Sequence, residues 1–232
     1  IEDQHKQLQL QNDFLSTISH ELKSPLGFIK GYTTTLLRTD TSWDSETQRE
    51  FLQIIDQETD HLKDLIENLL DSSLLQSGLM KMKYQHVHIE TIIKDVIART
   101  VFHYPELDAS IVTEGVNSPI LGDPGRIAQV IENLIINSIK YAPGSKISVT
   151  IKQDGIQTSI VVKDTGPGIP EEYHEMIFER FFRVPGQSPD VHGSGLGLFI
   201  CRQIIEAHNG RISVETGKGE GAAIIISLPS KT

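Results

Sequence analysis

The chain has 232 residues, of which 38% are hydrophobic and 22% charged, with a formal net charge of −10. That length carries one large domain or two small ones, and the composition is that of a globular protein. The acidity excludes the basic footprint of a nonspecific nucleic-acid binder, and no apolar run reaches the length needed to span a bilayer.

Residues 1–38 read as one helix. Ile1, Leu8, Leu15 and Leu22 recur every seven residues, with Ile18 at a d-like position, which makes a short heptad seam diluted by Gln4 and Gln11. His20 lies in Ser19-His20-Glu21-Leu22-Lys23-Ser24-Pro25. At the helical period its own face carries Ser16, Thr17, Lys23, Ser24 and Gly27, all small or polar. A partner can reach such an imidazole, although an ordinary exposed histidine has the same surroundings. Pro25 cannot donate to the carbonyl of Glu21 and crowds it, so a kink is expected just after His20, with Gly27 and Gly31 adding slack.

Residues 39–45 are polar and turn-like, and Ser45 with Gln48 fits a capping box opening the next helix. Over 46–77 the apolar residues Phe51, Ile55, Leu62, Leu65, Ile66, Leu69 and Leu70 share a broad face, and Gly78 suits a helix stop. Two long antiparallel helices with such faces form a hairpin that one copy cannot bury. A homodimer closing a four-helix bundle is the expected solution. The first 80 residues carry 6 basic against 14 acidic side chains, so most of the net charge is theirs. The expected domains are a hairpin over 1–80, a short hinge over 81–88, and a second domain over 89–232.

That second domain alternates helical stretches (89–102, 124–141, 172–179, 195–209) with strand-like runs (110–113, 146–152, 158–164, 211–215, 222–228). Ile147, Val149 and Ile151 alternate cleanly. Such an order predicts a two-layer α/β sandwich around one sheet. Asp123-Pro124 is a helix start. Down that helix Asn133, Asn137, Lys140 and Tyr141 form one stripe, opposite Ile127, Ile131, Leu134 and Ile135. Aligned asparagines with a lysine suit a ligand that is anionic and accepts hydrogen bonds, and they equally suit a solvated face.

Asp164-Thr165-Gly166-Pro167-Gly168-Ile169 follows a strand, as an ordinary turn would, or as a purine-reading loop in which Asp164 accepts from an amino group. Gly193-Ser194-Gly195-Leu196-Gly197-Leu198 precedes a helix whose N-terminus and loop amides suit phosphates. It is not a P-loop, because no Gly-Lys-Ser/Thr follows. Arg183, ending Phe178-Glu179-Arg180-Phe181-Phe182-Arg183, is placed to meet a terminal phosphate. Residues 184–194, rich in Pro, Gly and Ser, suit a lid. The single cysteine, Cys201, cannot form an internal disulfide, fits a reducing cytoplasmic compartment, and reads as buried packing. The sequence opens at Ile1 without a methionine, with no signal peptide expected, and reads as cut from a longer protein whose missing part would hold any sensor or membrane anchor.

In order and spacing these motifs resemble the sensor histidine kinases of two-component systems. The stretch around His20 is similar to their H box, Asn133–Tyr141 to the N box, and Asp164–Gly168 to the first glycine box. Phe178–Arg183 resembles the F box, Gly193–Leu198 the second glycine box, and Gly219–Ala222 a worn third. The resemblance implies a dimerisation and histidine-phosphotransfer hairpin followed by a catalytic domain of the Bergerat (GHKL) ATPase type. It implies ATP and Mg²⁺ as cofactors, with Asn137 holding the metal and Asn133 assisting. Lys140 and Arg183 would meet phosphates, and Tyr141 would lie near the base. Asp164, Gly166 and Gly168 would read adenine, while Gly193, Gly195, Leu196 and Gly197 would close over the phosphates. His20 would be the phosphoacceptor, Glu21 its general base, and a response-regulator receiver domain the next acceptor. Ser24 stands where the family commonly has Thr or Asn, which bears on phosphatase activity toward the regulator. Ala222 replaces the usual Ser or Thr of the last box. The alternatives are a non-enzymatic dimeric scaffold with a degenerate nucleotide pocket, against which the intact boxes speak, and an ATPase of the chaperone type, which the attached hairpin disfavours.

Overall fold

In the computed structural model the described residues are 2–76, 80–115, 118–185, 194–215 and 221–230, with side chains described from Ser16 onward except Thr17 and Gln76. The chain divides into two compact units, Ile1–Asp71 and Ser72–Thr232.

The first unit is built on helix α1, Glu2–Leu36, and the larger part of helix α2, Ser45–Gln76. α1 continues through Pro25, which is buried, to Leu36. Trp43 anchors the turn: its indole N–H donates to the Thr35 carbonyl at 3.2 Å, and its ring meets Phe51 edge-on, with Tyr32 on another side of Phe51. α2 is capped by Asp44 and not by the expected Ser45. The Asp44 carboxylate accepts from the Thr47 amide at 2.8 Å and from its hydroxyl at 3.0 Å, while the Gln48 side chain donates to the Trp43 carbonyl. Leu65 is buried, whereas Leu26, Phe28, Leu37, Leu52, Ile66 and Leu70 remain exposed. The Gly78 stop lies outside the described residues.

The second unit holds a five-stranded sheet and a two-stranded ribbon. The sheet order is β2 (Ala109–Gly115), β4 (Ile147–Gln153), β5 (Gln157–Asp164), β7 (Ala223–Pro229), β6 (Arg211–Val214). Only the β2–β4 pair is parallel. Period-two alternation aligns two apolar rows across it. Val149, Val162, Ile224 and Val214 are in register, and so are Ile151, Ile160, Ile226 and Ile212, all buried. Helices α3 (Ile89–His103), α4 (Pro124–Tyr141) and α5 (Gly197–Ala207) complete the unit, with α4 packed between the other two. Ile127, Val130, Ile131, Leu134 and Ile135 of α4 are almost wholly buried, each worth about 1.5–3 kcal/mol of transfer free energy. This is the anticipated two-layer sandwich.

Several local expectations differ. The division falls at 71/72, where the sequence suggested 80 and then a hinge over 81–88. Within that stretch Gln85–Val87 forms strand β1, which pairs antiparallel with β3, Ile120–Gly122. Ser72 is buried, and its hydroxyl accepts from Arg180 Nε at 3.0 Å within the second unit. The expected helix over 172–179 is two 3₁₀ turns, Glu171–Tyr173 and Met176–Phe178.

Asp123 ties the 81–88 stretch to α4. Its Oδ1 accepts from the amides of Gly125 (3.0 Å) and Arg126 (3.2 Å), capping α4, and its Oδ2 accepts from the Lys83 amide at 2.7 Å. Its own amide donates to His208 Nε2 at 2.9 Å, while His208 Nδ1 bonds the Ile204 carbonyl at 2.8 Å. Burial opposes the Asp123 charge, but the amides of Lys83, Arg126 and Gly125 outweigh it, so the carboxyl titrates below its ordinary 3.8. Replacing Asp123 by Ala removes a cap worth roughly 1 kcal/mol and orphans an N–H at roughly 1–3 more. A stability loss of about 2–4 kcal/mol is expected in urea unfolding followed by circular dichroism. Because the folded-state value is depressed, this stabilisation is complete above pH 3.8 and fades as the pH falls below it, so the wild-type and Asp123→Ala stability curves should converge in acid.

Candidate active site

β5 alternates Thr158, Ile160, Val162 and Asp164 on its buried side, so the strand ends with a carboxylate in the apolar row. Asp164 is only 6% exposed. Its Oδ1 accepts from the amides of Gly166 (2.9 Å) and Ala222 (3.0 Å), and its Oδ2 accepts from the Ser138 hydroxyl at 3.1 Å. The backbones of Asp164 and Ala222 also bond directly. This approach requires glycine at 221: its φ is +81°, and a Cβ there would stand 1.9 Å from the Asp164 carbonyl oxygen.

Beside this carboxylate lies a cavity of about 550 Å³. Asn137, Ser138, Lys140 and Tyr141 reach it from the C-terminal half of α4, Asp164 from the end of β5, and Gly168 and Ile169 from the loop after it. Leu134, Ile177, Leu198 and Ile224 give apolar walls, and Lys140 and Arg183 supply positive charge. A largely apolar cavity with a buried carboxylate acceptor and cations on its lining is suited to a nucleotide.

Of the residues singled out from sequence, Asn137, Lys140, Tyr141, Asp164, Gly168 and Arg183 come together on this cavity, and Gly166 steadies Asp164 from behind. Asn133 does not line it. It lies one turn back, its carboxamide within 3.9 Å of where a Cβ on Gly197 would be, and its Nδ2 is buried with no partner. Leu196 is fully buried, a core residue whose amide donates to Ser194 Oγ at 3.4 Å. Gly195 takes φ +66° and accepts at its carbonyl from the Phe181 amide. Phe181 itself sits at φ 61°, a strained value for a non-glycine residue that this pairing holds, at a cost of about 1 kcal/mol. Gly193 lies outside the described residues. In the other unit His20 and Ser24 are exposed and Glu21 is half-buried.

Ser138 escaped the sequence reading. It falls on the buried stripe of α4, four residues after Leu134, and a hydroxyl among isoleucines was the available signal. Burial pushes the Cys201 thiol up to about 12, only partly offset by the Asn133 side chain. It stays protonated and is packing, not a nucleophile.

The donors present fit Mg-ATP. Lys140 and Arg183 set cationic groups on the cavity lining for phosphate oxygens, and Asn137 adds a carboxamide beside them. No cluster of three or more His, Cys, Asp or Glu among the described residues could hold a metal. Asn137, which lines the cavity, is the residue that would hold a hard divalent cation there, together with phosphate oxygens and water, as Mg²⁺ prefers.

Comparison with known proteins agrees. Residues 10–78 match the His Kinase A (phospho-acceptor) domain, and 122–232 match the histidine kinase-, DNA gyrase B- and HSP90-like ATPase family. The chain is 35% identical over 95% of its length to hybrid signal transduction histidine kinase D of Dictyostelium discoideum, covering 15% of that protein. It is 32% identical over 99% of its length to sensor-like histidine kinase SenX3 of Mycolicibacterium smegmatis, covering 61%. The chain thus spans less than two thirds of these relatives. Among solved structures, histidine kinase ThkA in complex with response regulator TrrA superposes with a TM-score of 0.74 at 25% identity, over 97% of this chain and 64% of that one. The Acinetobacter baumannii histidine kinase AdeS shares the fold at a TM-score of 0.72 and 22% identity, over 91% of this chain and 98% of that one. A phosphoacceptor-type hairpin in one unit and an ATPase-type cavity in the other, both matched by family, place this chain among the two-component sensor histidine kinases.

Proposed function

We propose that this chain is the cytoplasmic kinase core of its parent protein, which uses Mg-ATP to phosphorylate His20 and passes the phosphoryl group to an aspartate of a response-regulator receiver domain. The observation that carries the reading is Asp164, a buried carboxylate with every contact a donor, set beside a cavity that Asn137, Lys140 and Arg183 also line. Exposed His20 with Ser16, Ser24 and Gly27 around it supplies an accessible acceptor.

A neutral His20 ring nitrogen attacks the γ-phosphorus. The N–P bond forms, the bond from that phosphorus to the β–γ bridging oxygen breaks, and ADP leaves. The proton on the other ring nitrogen passes to a base, the role assigned to Glu21. Consecutive helix residues diverge by about 100°, so the transfer requires rotamers of His20 and Glu21 that close this angle. Mg²⁺, when bound, neutralises phosphoryl oxygens. Lys140 and Arg183 would orient the polyphosphate, Asn137 would hold the metal, Tyr141 would line the base pocket, and the amides of Gly195 and Gly197 would meet the phosphates.

Ser24 lies one turn after His20 on the same helical face. Its hydroxyl suits orienting a water for dephosphorylation of the regulator. Exposed Leu26, Phe28, Leu52, Ile66 and Leu70 suit burial against a second copy, making the kinase a homodimer through its hairpin. No helix among the described residues is long and apolar enough to cross a membrane.

Incubation with ATP labelled on its γ-phosphate should give acid-labile label that mass spectrometry at neutral pH places on His20. His20→Gln should fall to background, and label persisting there would overturn the assignment. Asn137→Ala, with His20 intact, should lose on the order of 10²-fold or more in initial rate. Fast ATP turnover without any phosphoprotein would replace the kinase reading with that of a plain ATPase.

A further inference from the structure

The two oxygens of Asp164 are held unequally. Oδ1 is fixed by two backbone amides, of Gly166 and Ala222, whereas the hydrogen bond described at Oδ2 comes from one side chain, Ser138, at 3.1 Å. Ser138 is 8% exposed, on the buried face of α4, and it lines the cavity beside Asp164. Donating its one hydroxyl hydrogen to the carboxylate leaves Ser138 Oγ with lone pairs only. The polar floor of the slot therefore presents two acceptors, Asp164 Oδ2 and Ser138 Oγ, while neighbouring Leu134, Ala142 and Ile224 offer no side-chain donor.

We propose that Ser138 is a specificity-determining positioning residue. By donating to Asp164 it fixes Oδ2 as an acceptor, and with its own lone pairs it completes a floor that selects purines bearing an exocyclic 6-amino donor over 6-oxo purines. This rests on the reading that the cavity takes a nucleoside triphosphate with Asp164 at the base. A ligand with a carbonyl at that position sets oxygen against oxygen and leaves buried groups unpaired, the arrangement in which polar sites discriminate most strongly.

The test uses the whole chain and measures Mg²⁺-dependent binding of ATP, GTP and purine riboside triphosphate, which lacks the 6-amino group, by calorimetry. Ser138→Ala should weaken ATP about tenfold, the scale of a hydrogen bond to a charged group, and narrow the ATP-over-GTP preference. Binding of purine riboside triphosphate should change less than about twofold, because the coupling runs through the missing amino group. Ser138→Cys keeps a similar volume and a weak donor. It should fall between wild type and Ala, and it serves if the alanine variant folds poorly. Equal weakening of ATP and purine riboside triphosphate would mean that Ser138 only shapes the pocket, and unchanged ATP affinity would mean that it does nothing there; either result overturns the proposal. The underlying reading fails separately if wild type binds ATP and purine riboside triphosphate equally well, or if Asp164→Asn leaves ATP affinity intact.

Discussion

The candidate site depends on one placement, a carboxylate at the end of an otherwise apolar strand face. The two-residue period that lines up Ile160 and Val162 against the helices also delivers Asp164 to that layer. A one-residue slip of β5 would turn Asp164 outward and Lys163 inward. Register is fixed on both sides, by β4 through Val149 and Ile151 and by β7 through Ile224 and Ile226. The cost of burying the charge is met locally by two amides and a hydroxyl. The loop glycines follow from this: Gly221 lets β7 begin close enough for the Ala222 amide to reach Oδ1.

Helix α4 is the second support, and its rotation is set far from the cavity. Asp123 and His208 secure its N-terminus, with Tyr84 stacked edge-on against the His208 ring and bonded to the Ala207 carbonyl. The isoleucine stripe fixes which face turns inward. With rotation and axial position set there, Asn137, Ser138 and Tyr141 arrive at the cavity four turns later without a further device. Asn133 shows the limit of stripe reasoning: it shares a side of the helix with Asn137, but a turn of rise carries it away from the cavity to Gly197.

What the sequence made legible was what repetition encodes. The seven-residue spacing of the hairpin, the alternation in β4 and the polar stripe of α4 each recur often enough to overrule local ambiguity. The short ribbon was invisible, since β1 and β3 have three residues each and exist through pairing with each other. The same holds for the helix expected over 172–179, where two 3₁₀ turns bring Ile177 and Phe178 into the core. Asp44 displaced Ser45 as cap because both are good caps one residue apart, and Trp43, bonded to Thr35, settles which of them is used. At the site, residues with conspicuous chemistry were found and Ser138 was not, because a serine on a buried stripe carries no signal until the strand opposite it is known. Leu196, in the middle of a glycine motif, turned out to be core.

The two functional groups are held in opposite ways, and each fits its proposed task. Asp164 reads a ligand, so its orientation must be unique, and burial with three donors makes it so. His20 is to be chemically altered by one partner and emptied by another, so it must be reachable repeatedly. Packing it among apolar neighbours would block both. A long helix with small residues one turn before and after the histidine, at Ser16 and Ser24, fixes its Cα while leaving the ring in the open. The apolar residues that such a helix must carry then sit on its other faces, where Leu26 and Phe28 remain for a partner to cover. On the proposed reading the same asymmetry that exposes the acceptor makes the single hairpin incomplete, and dimerisation is the structural consequence of keeping a histidine accessible on a two-helix scaffold.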